Sequence, residues 1–136
     1  MEIESGLYIV TLNNEHPISV NAQDLRIAHK AIKVTKENCK IGKAKDIEGR
    51  RKNYYKTFGV ENVNYFPIVR MTDIAVAERA ILEKLNDYRI RGRTGRRNEW
   101  LEEIQPSQVF EIAINTLNEL DIEYKLLLED ASNKLA

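Results

Sequence analysis

One cysteine and two histidines in 136 residues remove several chemistries at once. Cys39 alone closes no disulfide within the chain, and together with His16 and His29 it cannot furnish a thiolate and imidazole zinc cage. Any metal is therefore expected to be a hard ion held by oxygen. No apolar run approaches the roughly 18 residues that a membrane-spanning helix needs, which excludes a helical membrane protein. Prolines number only three, and neither repeats nor low-complexity stretches mark an interior linker, so a single domain is expected. Met1-Glu2-Ile3-Glu4-Ser5 is acidic and runs straight into a strand-like stretch. That opening predicts neither a secretory signal nor an Arg-rich transit peptide, and hence a cytoplasmic setting.

What is present is charge, segregated along the chain. Residues 1 to 97 hold 19 Lys and Arg against 12 Asp and Glu, a net of +7, whereas residues 98 to 136 hold two lysines against nine acids, a net of −7. The basic portion favours a polyanionic partner; the acidic segment marks either a shield or a face turned away from it.

Periodicity divides the chain into short elements. Gly6-Leu7-Tyr8-Ile9-Val10-Thr11-Leu12 reads as a strand ending at an Asn-Asn turn, and Cys39-Lys40-Ile41-Gly42-Lys43 as a second strand. Between them Leu25, Ala28, Ala31 and Ile32 recur at helical spacing, which predicts a short amphipathic helix over 21–34. Asp46 is placed to cap a helix from Ile47 to about Tyr55. Val63 to Met71 reads as a third strand in which Pro67 demands an edge or a bulge. Ile74, Ala77, Ile81, Leu85 and Tyr88 form the stripe of a longer helix starting at Thr72 or Asp73. Arg89, Arg91, Arg93, Arg96 and Arg97, interspersed with two glycines, read as a mobile basic loop. A last helix is expected from about Pro106 to Leu120, with Val109, Phe110, Ala113, Leu117 and Leu120 inward. The sum is a small α+β fold with a three-stranded sheet flanked by helices. Its division is a domain over 1–104, carrying a helical insertion at about 14–37, and a C-terminal helical extension over 105–136 packed on the same domain.

Gly6-Leu7-Tyr8 and Lys40-Ile41-Gly42 resemble the paired signatures of the GIY-YIG nuclease family. The run Ile41-Gly42-Lys43-Ala44-Lys45-Asp46-Ile47-Glu48-Gly49-Arg50 is similar to the strand, glycine, lysine and helix-borne arginine of its excision-repair branch, and Glu99-Trp100-Leu101 to a phage and viral branch. The resemblance spans about Gly6 to Leu101. It implies an antiparallel sheet and a DNA endonuclease that hydrolyses phosphodiesters with one Mg²⁺, for which Mn²⁺ can substitute. It implies as catalytic residues Tyr8, Lys43, Arg50, Tyr54 and Glu78, with Glu78 the metal ligand and Tyr8 the proton acceptor activated by Lys43.

The chemistry of these side chains points the same way. Phosphodiester cleavage requires a base for water, charge neutralisation on the phosphate and a metal at the leaving oxygen. Arg50 and Tyr54 are i and i+4 on one helix and project from one face, and arginine presents a bidentate fork to phosphate. Glu78 lies beside the apolar stripe of its helix and leans toward the sheet, and one carboxylate with phosphate oxygens and waters is an ordinary Mg²⁺ shell. Lys40, Lys45, Arg51 and the arginines at 89, 91, 93, 96 and 97 are candidates for phosphate-backbone binding, which supplies affinity without sequence readout.

Two departures from the family pattern stand out. Lys40 replaces the tyrosine of the second signature, which leaves the identity of the base open. About 30 residues separate the two signatures, far more than the family's usual connection, and the expected helix over 21–34 fills the excess as a DNA-contacting or dimerising insertion. Taken singly, Tyr8 is a packed core aromatic, Arg50 to Lys52 a solvated helix face and Glu78 a surface carboxylate paired along its helix. Their joint occurrence in family order favours a nuclease. The alternative is a GIY-YIG-like nucleic-acid-binding or regulatory module without catalysis, and a homodimer through the C-terminal segment is compatible with either.

Overall fold

The computed structural model describes residues 3–136. Leu7-Tyr8-Ile9-Val10 is apolar at consecutive positions, the pattern of a strand buried on both faces, and β1 (Gly6–Leu12) accordingly runs through the middle of the sheet with almost every side chain buried. On one side it pairs antiparallel with β4 (Cys39–Ala44), with Tyr8 opposite Gly42 and Val10 opposite Lys40. On the other it pairs antiparallel with β5 (Val63–Arg70). The register slips there: Leu7 faces Val69 but Tyr8 faces Pro67, so Ile68 is the extra residue of the bulge that the proline predicts.

The sheet is larger than the sequence pattern announces. β6 (Arg89–Arg91) and β7 (Arg97–Leu101) form a hairpin that adds to β4, and β8 (Lys125–Leu126) adds to β5, giving six strands in the order β6-β7-β4-β1-β5-β8, all antiparallel. The three-stranded expectation describes only the centre. The arginine segment is thus a β-hairpin, closed by Gly92 N donating to Arg96 O at 2.9 Å, rather than an unstructured loop. Arginine side chains are long enough to leave charge in water while their backbone completes a ladder, and charge counting does not see this.

Alternation assigns each face its helices. Tyr8, Val10 and Leu12 meet α1 (Ile47–Phe58) through Tyr54 and Phe58, with Tyr65 and Trp100 completing that layer. Leu7, Ile9 and Ile41 meet α2 (Ile74–Lys84) and α3 (Pro106–Glu119) through Ala77, Ile81, Val109, Ala113 and Leu117. Leu85 is buried just past the end of α2; Leu120 lies outside the core, 47% exposed beyond the end of α3. Leu128 and Leu135, the latter following the single turn α4 (Ala131–Lys134), close the second layer. No helix among the described residues is long and apolar enough to cross a membrane.

The expected helix over 21–34 does not form. Ile18 pairs with Val34 and Ser19 with Lys33, as β2 (Ile18–Ser19) and β3 (Lys33–Val34), and the stretch between them is a series of turns with one 3-10 turn at Ala28–Lys30. Leu25, which a helix would have turned inward, is 86% exposed. The β-branched residues Ile18, Val20, Ile32 and Val34 at the two ends zip the segment into a ribbon, with Val20 N donating to Ile32 O at 3.1 Å, and the helical spacing between them loses to that closure. α1, by contrast, starts where its cap predicts, Asp46 accepting from Gly49 N at 3.1 Å. Asp46→Ala is expected to lower stability by about 1 kcal/mol, read as a shifted urea midpoint at constant slope.

Candidate active site

Gly42 gives Tyr8 its place. A Cβ at Gly42 would stand 2.4 Å from the Tyr8 hydroxyl oxygen, so the ring lies directly over the β4 backbone. Gly6 serves the sheet in the same way, since a Cβ there would meet the carbonyl oxygen of Val69 at 2.0 Å. Tyr65 stacks on Tyr8 at 4.8 Å between ring centroids and donates its hydroxyl to Ile47 O at 2.7 Å. From α1, Tyr54 brings its hydroxyl to 2.5 Å from that of Tyr8. Burial pushes all three phenols well above their ordinary range; for Tyr8 the neighbouring Tyr54 adds to the rise, while Lys40 and Arg50 oppose it.

Above this tyrosine layer lies a cleft of about 250 Å³ whose walls include Lys40, Arg50, Tyr54, Asn98 and Trp100. Arg50 and Tyr54 share it because they are one helical turn apart. Lys40 holds its ammonium 5.4 Å over the Tyr54 ring and 3.0 Å from Glu99 Oε2. Lys43, three positions along the strand, belongs to the opposite face and donates to Glu78 Oε1 at 2.7 Å. Glu99 is the ion-pair partner of Lys40. Its burial works against ionisation, but Lys40, Lys43 and Arg89 outweigh it and hold the carboxyl below its ordinary value.

The site residues expected from sequence therefore fall into two sets, one on each face of the sheet. Tyr54, Arg50 and Lys40 line the cleft on the α1 side, with Tyr8 buried and bonded to Tyr54 through its hydroxyl; Lys43 and Glu78 form a pair on the α2 side. The cations acting on Tyr8 are Lys40 and Arg50, which oppose the rise from burial without reversing it, and Lys43 is paired with Glu78 on the other face of the sheet. Asn98 lines the cleft while its Oδ1 accepts from Glu99 N and Trp100 N. Tyr65 and Trp100 escaped the sequence reading as site residues; period-two alternation on β5 and β7 was the signal available for them.

Glu78 is 7% exposed, and among the described residues its Oε2 takes no hydrogen bond. No three His, Cys, Asp or Glu side chains converge as a metal cage among those residues. This donor set fits a hard divalent cation that keeps most of its water and takes one carboxylate oxygen, and does not fit a fully protein-ligated ion.

Of the expected phosphate-binding residues, Lys45, Arg91, Arg93 and Arg96 are exposed. Arg51 instead lies over the Tyr65 ring at 4.8 Å and binds Glu48 at 3.1 Å. Arg89 and Arg97 donate to main-chain carbonyls, Arg89 Nε to Asn98 O at 2.7 Å and an Arg97 guanidinium nitrogen to Asn86 O at 2.5 Å. These three brace the scaffold. A groove of about 360 Å³ between the hairpin and the 20–32 segment, lined by Lys30, Arg93, Arg96 and Arg97 among others, shares Val20, Asn21 and Asn98 with the cleft.

The family model of the T5orf172 domain matches residues 27–117, about two thirds of the chain. That span contains Lys40, Lys43, Arg50, Tyr54, Glu78 and Glu99, and Tyr8 lies upstream of it. No curated protein and no solved structure matches the chain.

Proposed function

The chain belongs to the T5orf172 domain family, a phage-associated domain related to nuclease-type folds, and on that premise we propose that it is a metal-dependent DNA endonuclease. One observation carries the reading: a cleft walled by Lys40, Arg50 and Tyr54 adjoins an arginine-lined groove, and a half-exposed Lys43 holds the nearly buried Glu78 carboxylate by one oxygen.

Each part has work in phosphodiester hydrolysis. Arg50 forks across two non-bridging oxygens of the scissile phosphate, and Lys40 adds a second charge from the floor of the cleft. Lys43 fixes the Glu78 carboxylate by one oxygen and leaves the other for a Mg²⁺ or Mn²⁺ ion. When bound there, that ion would supply charge neutralisation at the leaving oxygen. The Tyr54 hydroxyl orients the attacking water, and the Tyr8–Tyr54 pair, in its deprotonated form, takes the proton. Phosphate contacts along the groove give salt-dependent affinity without base readout.

A phenol pair raised by burial is almost wholly protonated at neutral pH, so the deprotonated fraction grows tenfold per pH unit below its pKa. The cleavage rate of a 5′-labelled duplex in Mg²⁺ is therefore expected to climb with a slope near one from about pH 6 to 9 without a plateau. Tyr8→Phe should lower it by roughly 10²-fold. A rate that is flat across that whole window would assign the proton to the Glu99 carboxylate instead, which is already ionised there. Salt-sensitive binding with no cut in either metal would favour the second reading, a non-catalytic DNA-binding module, for which Lys40 in place of a tyrosine is the specific motive.

A further inference from the structure

The 20–32 segment has a fixed root and an apolar turn. Val34 is buried in the core beneath the β2–β3 pairing, Ser19 Oγ donates to Ala28 O at 2.6 Å, and Gln23 Nε2 donates to Thr57 Oγ1 on α1 at 2.8 Å. Between its arms Leu25 is 86% and Ile27 41% exposed. A single exposed leucine is ordinary. Here, however, the arms themselves line the basic groove, through Asn21 on one and Lys30 and Ile32 on the other, facing Arg93 and Arg96 of the hairpin. A polyanion seated by those charges would lie along the two arms that carry the turn.

We propose that this segment is a wedge for DNA with an open base stack, and that Leu25, with Ile27 beside it, packs against the face of an unstacked base. The inference rests on the reading of the groove as a DNA site and adds the substrate class: gapped, flapped or branched duplex over continuous duplex. In a continuous duplex the base faces are already covered by their neighbours, so an apolar wedge must first unstack a step; at a gap or junction that cost is already met and the leucine gains contact at once. The phosphate contacts are the same in both, so the preference resides in the turn and not in the arginines.

The test is equilibrium binding of the full chain, in EDTA so that nothing is cut, to a matched 30-mer duplex and to the same duplex with a one-nucleotide gap flanked by 2-aminopurine. The wild type should favour the gapped form by roughly tenfold and quench the 2-aminopurine, as burial of one leucine side chain predicts. Leu25→Ala should bring the ratio near one with duplex affinity and salt slope unchanged, and Leu25→Phe should keep it. Equal wild-type affinity for both forms, or an equal loss on both with Leu25→Ala, overturns the wedge. A Leu25→Ala change that shifts a monomer–dimer equilibrium in light scattering overturns it in favour of a second copy as occupant. Failure of the wedge alone leaves plasmid cleavage and salt-sensitive duplex binding intact; loss of all DNA binding by the wild type overturns the endonuclease reading with it.

Discussion

Glu78→Gln is expected to reduce metal-dependent cleavage by at least about 10³-fold while leaving DNA binding in EDTA within roughly twofold. The substitution keeps the length of the side chain and an oxygen for Lys43 at the position of Oε1, so the α2 face is not emptied. What it removes is the negative charge that attracts a divalent cation, in a site where no second carboxylate cluster among the described residues stands in. Glu78→Ala is the harsher variant, because it strands the Lys43 ammonium beside the cavity left by a nearly buried side chain. The two together separate chemistry from folding: both lose cleavage, and only the alanine loses stability. Single-turnover cleavage of a labelled duplex, with urea melts of each protein, is the measurement.

Gly42→Ala is expected to cost about 2–3 kcal/mol of stability and most of the cleavage activity. The added methyl would enter space held by the Tyr8 ring, which cannot retreat, since Tyr65 stacks behind it and Tyr54 holds its hydroxyl. Overpacking of this kind is relieved only by moving a strand or a rotamer, and here either movement disturbs the Tyr8–Tyr54 contact that holds Tyr54 at the cleft. Tyr8→Phe in the same chain removes the closest of the clashing atoms and should recover part of the stability without recovering cleavage. Thermal melts of the single and double variants check the first part, and cleavage rates the second.

The central strands and the two signature glycines were readable because their causes are local. A buried strand needs a continuous apolar run, and a close approach needs a glycine. The Arg50–Tyr54 spacing and the inward lean of Glu78 were readable from helix geometry alone. What escaped depended on partners distant in sequence. The hairpin over 89–101 is held by pairing with β4 and by arginines bound to main-chain carbonyls, and a count of five arginines cannot show which are braced and which are free. The 21–34 segment carries a true helical spacing that is overruled by β-branched residues closing its two ends. The commitment of Lys43 to Glu78 rather than to Tyr8 follows from which face of β4 each residue occupies, which needs the sheet and not the motif. Glu99, the ion-pair partner of Lys40, owes its place to the β7 strand that the basic-loop reading omitted.

The most direct measurement of the central claim is conversion of supercoiled plasmid to nicked circles by wild type and Glu78→Gln side by side, in Mg²⁺, in Mn²⁺ and in EDTA at low salt. The wild type is expected to nick in both metals and not in EDTA, and Glu78→Gln in no condition. Nicking that survives EDTA, or that Glu78→Gln performs at the wild-type rate, would contradict the claim.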